Sequence, residues 1–171
     1  MQQFLHLTGE LNKALELFSE SQKISIKNNY KSSLSFAIFG IAKIYQQKND
    51  WVTAENKLLE LEKFEKSNNF LSNLVTTYLE LANIKMELKM YDLADHYLNK
   101  ANEIILRNNL PKEKIIYSET KAINTLLKQN PEIGKDLKDA LKRKKIEVEN
   151  YQNALNAEFL EIYKSILLHE R

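Results

Sequence analysis

The chain has 171 residues, 43% hydrophobic and 28% charged, with a net charge of +2; this is about one soluble, core-forming domain, too near neutral to imply a polyanion partner. No cysteine is present, which excludes disulfides, thiolate metal sites and cysteine nucleophiles. No apolar run approaches the roughly 18 residues that span a bilayer, and the start MQQFLHLTGELNK lacks the basic and long apolar parts of a signal peptide, so the expected location is the cytoplasm, away from membranes.

Three glycines and two prolines leave little room for turn-rich β architecture, and Leu, Lys, Glu, Asn and Ile favour helix throughout. The strongest pattern is a translational one. The pairs Asn28-Asn29, Asn68-Asn69 and Asn108-Asn109 recur at a step of 40 residues. Ala14, Ala54 and Ala94 keep the same step, as do Leu11, Trp51 and Tyr91, then Phe18, Leu58 and Leu98, then Ile24, Phe64 and Ile104. One supersecondary unit is copied end to end, and such units bury their apolar faces by stacking into a solenoid.

In chain order, the first unit (residues 1–29) is partial. By the 40-residue step its first helix begins before Met1, leaving only Gln2 to Thr8, followed by a second helix that carries Ala14 and Phe18. That truncation suggests the C-terminal part of a longer protein. The second unit (30–69) is a helical hairpin. Ile38, Ile41, Ala42 and Tyr45 form one helix face, Asn49-Asp50 interrupts, and Trp51, Ala54, Leu58, Leu61 and Phe64 form the next face. Asp50 is a suitable N-cap, and each asparagine pair ends a helix because asparagine tolerates the left-handed conformation.

The third unit (70–109) repeats the scheme with Tyr78, Leu81 and Ala82, then Tyr91, Ala94, Leu98 and Ala101. The fourth (110–145) is degraded: Pro111 suits a first helical turn, Ala122 extends the series Ala42, Ala82, and Gly134 follows a cap at Asn130-Pro131. Its first helix is apolar on both faces through Ile115, Ile116, Ala122, Ile123, Leu126 and Leu127, and is expected to be buried on both sides. The period breaks after residue 145. Val148, Leu155, Phe159, Ile162 and Ile166 fall at heptad-like steps in 146–171, the pattern of a long capping helix or of a homodimer seam.

These residues resemble the tetratricopeptide repeat. Ile41-Ala42 with Tyr45, and the starts Trp51-Val52-Thr53-Ala54 and Tyr91-Asp92-Leu93-Ala94, match its pattern of bulky, small and aromatic positions. The usual repeat has 34 residues; the 40-residue step here is similar to the extended repeats of bacterial regulatory proteins, peptide-pheromone receptors among them, and of kinesin light chain. Two departures stand out, Lys85 for the first-helix aromatic and Lys89 for a glycine between helices. The resemblance implies an all-α, right-handed α-α superhelix whose first helices line a concave groove. Carried over, the groove positions are Phe39, Lys43, Gln46 and Gln47, then Leu79, Asn83, Met86 and Glu87. Asn, Gln and Lys can hydrogen-bond an extended peptide backbone, while Phe39, Leu79 and Met86 offer apolar contact.

Catalytic signals are lacking. His6, His96 and His169 have no partner at metal-ligand spacing, and no phosphate loop, HExxH or glycine-flanked serine occurs. Glu60 and Glu62 read as a solvated helix face. The basic run Lys142 to Lys145 is diluted by Asp136, Asp139, Glu147 and Glu149, which argues against a nucleic-acid groove. The expectation is therefore a non-enzymatic, cofactor-free module that binds a protein or short peptide. The alternatives are the peptide-sensing part of a bacterial transcriptional regulator, and a homo-oligomerisation module built on the terminal helix.

Overall fold

The computed structural model describes residues 2–129 and 131, with side chains from residue 10 onward. Residues 1–128 form one compact unit and 129–171 a second; the account below concerns the first. Gly134, the basic run Lys142 to Lys145, His169 and the seam Val148, Leu155, Phe159, Ile162 and Ile166 lie outside the described residues.

Six helices and no strand occur among the described residues: α1 (Gln2–Lys27), α2 (Lys31–Gln47), α3 (Trp51–Ser67), α4 (Leu71–Glu87), α5 (Tyr91–Asn108) and α6 (Pro111–Gln129). Each packs on its chain neighbour from α1 through α5, giving an all-α helical-repeat stack of the tetratricopeptide-like solenoid type. α2, α4 and α6 start at residues 31, 71 and 111, so successive hairpins keep the 40-residue step.

The turns explain the regularity. Every twentieth residue is left-handed: Asn29, Asn49, Asn69, Lys89 and Asn109 all have φ between 49° and 59°. Around the first four, the N–H of that residue bonds a carbonyl three back and the next N–H bonds one five back. Examples are Asn69 N to Lys66 O at 3.3 Å and Phe70 N to Glu65 O at 3.0 Å. This is the Schellman closure, which satisfies the last carbonyls of a helix. In the asparagine pairs the two members divide the work. The first donates its amide to the carbonyl four residues back, as in Asn28 to Ile24 (2.9 Å), Asn68 to Phe64 (2.8 Å) and Asn108 to Ile104 (2.8 Å). The second takes the left-handed φ. Asp50 caps α3 by accepting from the Thr53 N–H at 3.1 Å, as its sequence position requires.

The core runs through the hairpin interiors. Leu58, Leu61, Leu81, Ile84 and Leu98 are each no more than 1% exposed, and burial of such a side chain contributes about 2 kcal/mol. Ala42, Ala54, Ala82, Ala94 and Ala101 are wholly buried, the small residues that let helix axes approach. Between α1 and α2 that task falls to Gly40. A Cβ there would lie 2.5 Å from the Phe18 ring.

Three expectations change. Gln2–Thr8 is not the stub of a separate helix, because α1 runs unbroken from Gln2 to Lys27. No proline or left-handed residue stops it at Gly9. Next, α6 is not buried on both sides. Its buried stripe is Tyr117, Thr120, Asn124 and Leu127, while Ile115, Ile116 and Leu126 are exposed, as is Ala122. The stripe keeps helical phase but spends two positions on polar residues, so apolar identity misplaced the face. Lastly, Glu62 is not solvated. Only Glu60 is exposed, paired with Lys57 at 2.8 Å, whereas Glu62 is buried and accepts from Lys66 at 2.7 Å and from the Tyr78 hydroxyl at 3.0 Å.

A candidate ligand groove along α2 and α4

The first helices α2 and α4 run in the same direction, separated by α3, and polar groups tie them together. Lys43 Nζ and Gln46 Nε2, both on α2, donate to the same Glu80 oxygen of α4 at 3.0 and 3.1 Å. Lys43 is screened, with 41% of its side chain exposed against 16% for Glu80, so the bridge sets register more than stability. Gln47 is exposed and Asn83 half-buried, and neither side-chain amide bonds another described residue. Phe39 is half-buried against the core. Glu87 lies exposed at the end of α4.

Leu79 and Met86 are corrections. Both are 4% exposed and belong to the core cluster, so they offer no groove surface. Their α2 counterparts Phe39 and Gln46 stay half-buried. α2 and α4 each pack between two chain neighbours, so flanking helices alone do not account for the difference.

The seam holds a pocket of about 150 Å³ lined by Ser35, Phe36 and Phe39 of α2, Glu65 of α3, and Asn73 and Thr76 of α4. Phe36 and Phe39 stand three residues apart, as do Asn73 and Thr76, so each pair presents one helix face. Glu65 is 1% exposed. Its oxygens accept from Ser35 Oγ and Thr77 Oγ1, each at 2.8 Å, and Asn73 Nδ2 donates to Ser35 Oγ at 3.2 Å. Burial pushes the Glu65 carboxyl above its ordinary value, and the two hydroxyls pull it only part of the way back.

Sequence reasoning missed Glu65, yet a signal existed. Ala54, Leu58, Leu61 and Glu65 keep the steps of a buried stripe, so a carboxylate occupies an apolar position. Glu80 left no comparable mark.

Behind the groove a second polar network braces α3, α4 and α5. Burial pushes Glu62 up, but hydrogen bonds from Lys66 and Tyr78 and the nearby Lys100 bring it below its ordinary value. Lys100 Nζ also lies over the Tyr78 and Tyr97 rings, 5.4 and 5.2 Å from their centroids. Lys85, standing where the resemblance expects an aromatic, pairs with Glu55 of α3 at 2.6 Å, both largely buried. Asp95 and His96 do not cooperate. Asp95 accepts from Asn124 and Lys128 at 2.8 and 3.1 Å, while His96 is exposed beside Tyr97. Among the described residues no helix is long and apolar enough to cross a membrane.

No protein-family model and no curated protein matches this sequence. Among solved structures, the apo form of RapI is similar, with a TM-score of 0.62 and 22% sequence identity over 86% of this chain and 54% of that one. The chain thus spans about half the length of that protein. At such identity the likeness establishes the fold, an all-α helical-repeat stack.

Proposed function

We propose that this chain is a non-enzymatic, tetratricopeptide-type scaffold whose α2–α4 face holds a short peptide or an extended segment of another protein. The observation that carries the reading is the pocket at the α2–α4 seam, where two phenyl rings meet hydroxyl, amide and carboxylate groups. Peptide grooves need that mixture of apolar wall and oriented polar groups. The amides of Asn83 and Gln47 are not used by other described residues, which supports a role in bonding a peptide backbone. Helices already packed in a stack lose little freedom on binding, so most contact energy would appear as affinity.

The likeness to RapI, whose solved structure is described as an apo form and whose length is about twice the matched span, favours a second reading within the same class. In it the groove is the peptide-sensing part of a longer bacterial regulator. Selection from a random pentapeptide library on the immobilised chain tests both readings. Capture should weaken about tenfold for Asn83→Ala with Gln47→Ala, the loss of two hydrogen bonds. Undiminished capture by that variant would remove the groove reading. The homo-oligomer alternative predicts a mass that falls on dilution; a constant monomer mass removes it.

A further inference from the structure

The floor of the seam pocket is one that packing does not require. One repeat beyond Glu65 the equivalent residue is Ile105, and the equivalent of Ser35 is Val75; both are buried and apolar. One repeat before Glu65 stands Ser25, also buried. Apolar or small side chains serve this position in the other repeats. A carboxylate here is destabilising in an empty site, because burial penalises its charge and no cation pairs with it among the described residues.

The surroundings say what would compensate it. Ser35 and Thr77 hold one oxygen each, which fixes the carboxylate and leaves acceptor capacity on both. Phe36, 66% exposed, and Phe39 add ring faces, which attract cations. Asn73 spends an N–H on Ser35, leaving its carbonyl to accept from a donor. A volume of about 150 Å³ suits the end of one side chain rather than a whole ligand.

We propose that this pocket receives an organic cation, the ammonium or guanidinium group of a peptide lying in the groove, with Glu65 as its counter-charge and Phe36 and Phe39 as its walls. The proposal deepens the peptide-binding reading and rests on it for the source of the cation, which is either a basic side chain or the peptide's own amino terminus.

Two experiments separate the outcomes. In the first, the full chain is titrated with n-butylammonium and, in parallel, with neutral 1-butanol while backbone amide shifts are followed. Butylammonium should move the Phe36, Phe39, Asn73 and Thr76 amides saturably, and butanol should not. Glu65→Gln, which keeps groups that Ser35 and Thr77 can bond, should weaken the response at least about tenfold. Phe36→Leu should weaken it about two- to fivefold. Equal shifts with butanol, or full-strength binding by Glu65→Gln, overturn the proposal. Should Glu65→Gln fail to fold, full-strength binding by Phe36→Leu overturns it instead.

In the second, pentapeptide libraries with free and with acetylated amino termini are selected on the chain. Enrichment of Lys or Arg in the acetylated library assigns the cation to a side chain; capture lost on acetylation assigns it to the terminus. Captured peptides showing neither effect overturn the cation pocket and leave the groove standing. No capture from either library removes the groove reading, and the butylammonium titration alone then decides the pocket.

Discussion

Replacing Lys89 with asparagine should stabilise the protein, because Lys89 is the one lysine in a series of left-handed turn residues otherwise made of asparagine. Its φ of 59° brings Cβ against the following carbonyl, a conformation that costs an ordinary residue about 1–2 kcal/mol and asparagine less. Nothing in the turn opposes the exchange. Lys89 is exposed, and the bonds that close the turn, Lys89 N to Met86 O at 3.0 Å and Met90 N to Lys85 O at 2.8 Å, use only backbone. The gain from Lys89→Asn should be about 0.5–1 kcal/mol. Lys89→Gly should gain no more, since glycine gives back about 0.4–1 kcal/mol through the freer unfolded chain. In a protein of this size 1 kcal/mol corresponds to roughly 2–4 °C in Tm. Urea unfolding should show a higher midpoint at unchanged slope. The reciprocal change Asn69→Lys supplies the opposite sign: it should destabilise by a similar amount, and by more if loss of asparagine also disturbs α3's end. The reasoning fails if Lys89→Asn is neutral or destabilising while Asn69→Lys is harmless.

Three further outcomes follow from the packing. Burial raises the Glu65 carboxyl above its ordinary value of 4.5, so the folded chain keeps that proton longer than the unfolded one. Stability from this group is intact below 4.5 and is lost as pH rises through the raised value. Glu65→Gln should therefore gain on the parent in thermal melts as pH rises above 4.5 and level off once the raised value is passed, and a constant difference in Tm across that rise would contradict it. The lowered Glu62 acts in the opposite sense, losing stability below 4.5, but it is common to both proteins and cancels in the difference. Gly40→Ala should destabilise by about 1 kcal/mol, the strain of overpacking against Phe18 less the helix propensity gained. On a Phe18→Ala background the same change should stabilise by about 1 kcal/mol, and an unchanged sign would show that the ring is not the obstacle. Lys85→Met should cost about 1–3 kcal/mol by leaving Glu55 half-buried and unpaired, with Glu55→Gln in addition recovering part of the loss in a double-mutant cycle.

The repeat and its punctuation can be read from the residues alone, because helix termination is local. Asparagine needs only its own backbone to enter the left-handed region, and an amide side chain reaches a carbonyl four residues back within one turn, so Asn28-Asn29 and its copies mark turns in any context. The Asp50 cap was legible for the same reason, and the buried alanines through their recurrence at the repeat step. What the repeats do to one another emerges in the packed stack. Glu80 meets Lys43 and Gln46, Glu55 meets Lys85, and Glu65 meets Ser35 and Thr77; most of these partners come from neighbouring helices of the stack. The sequence pattern gives each helix a face but not the neighbour that covers it. Leu79 and Met86 on α4 are core, while Phe39 and Gln46 at matching places on α2 stay half-open. Local chemistry set the period; the stacking of one period on the next chose which side chains remain available to a ligand.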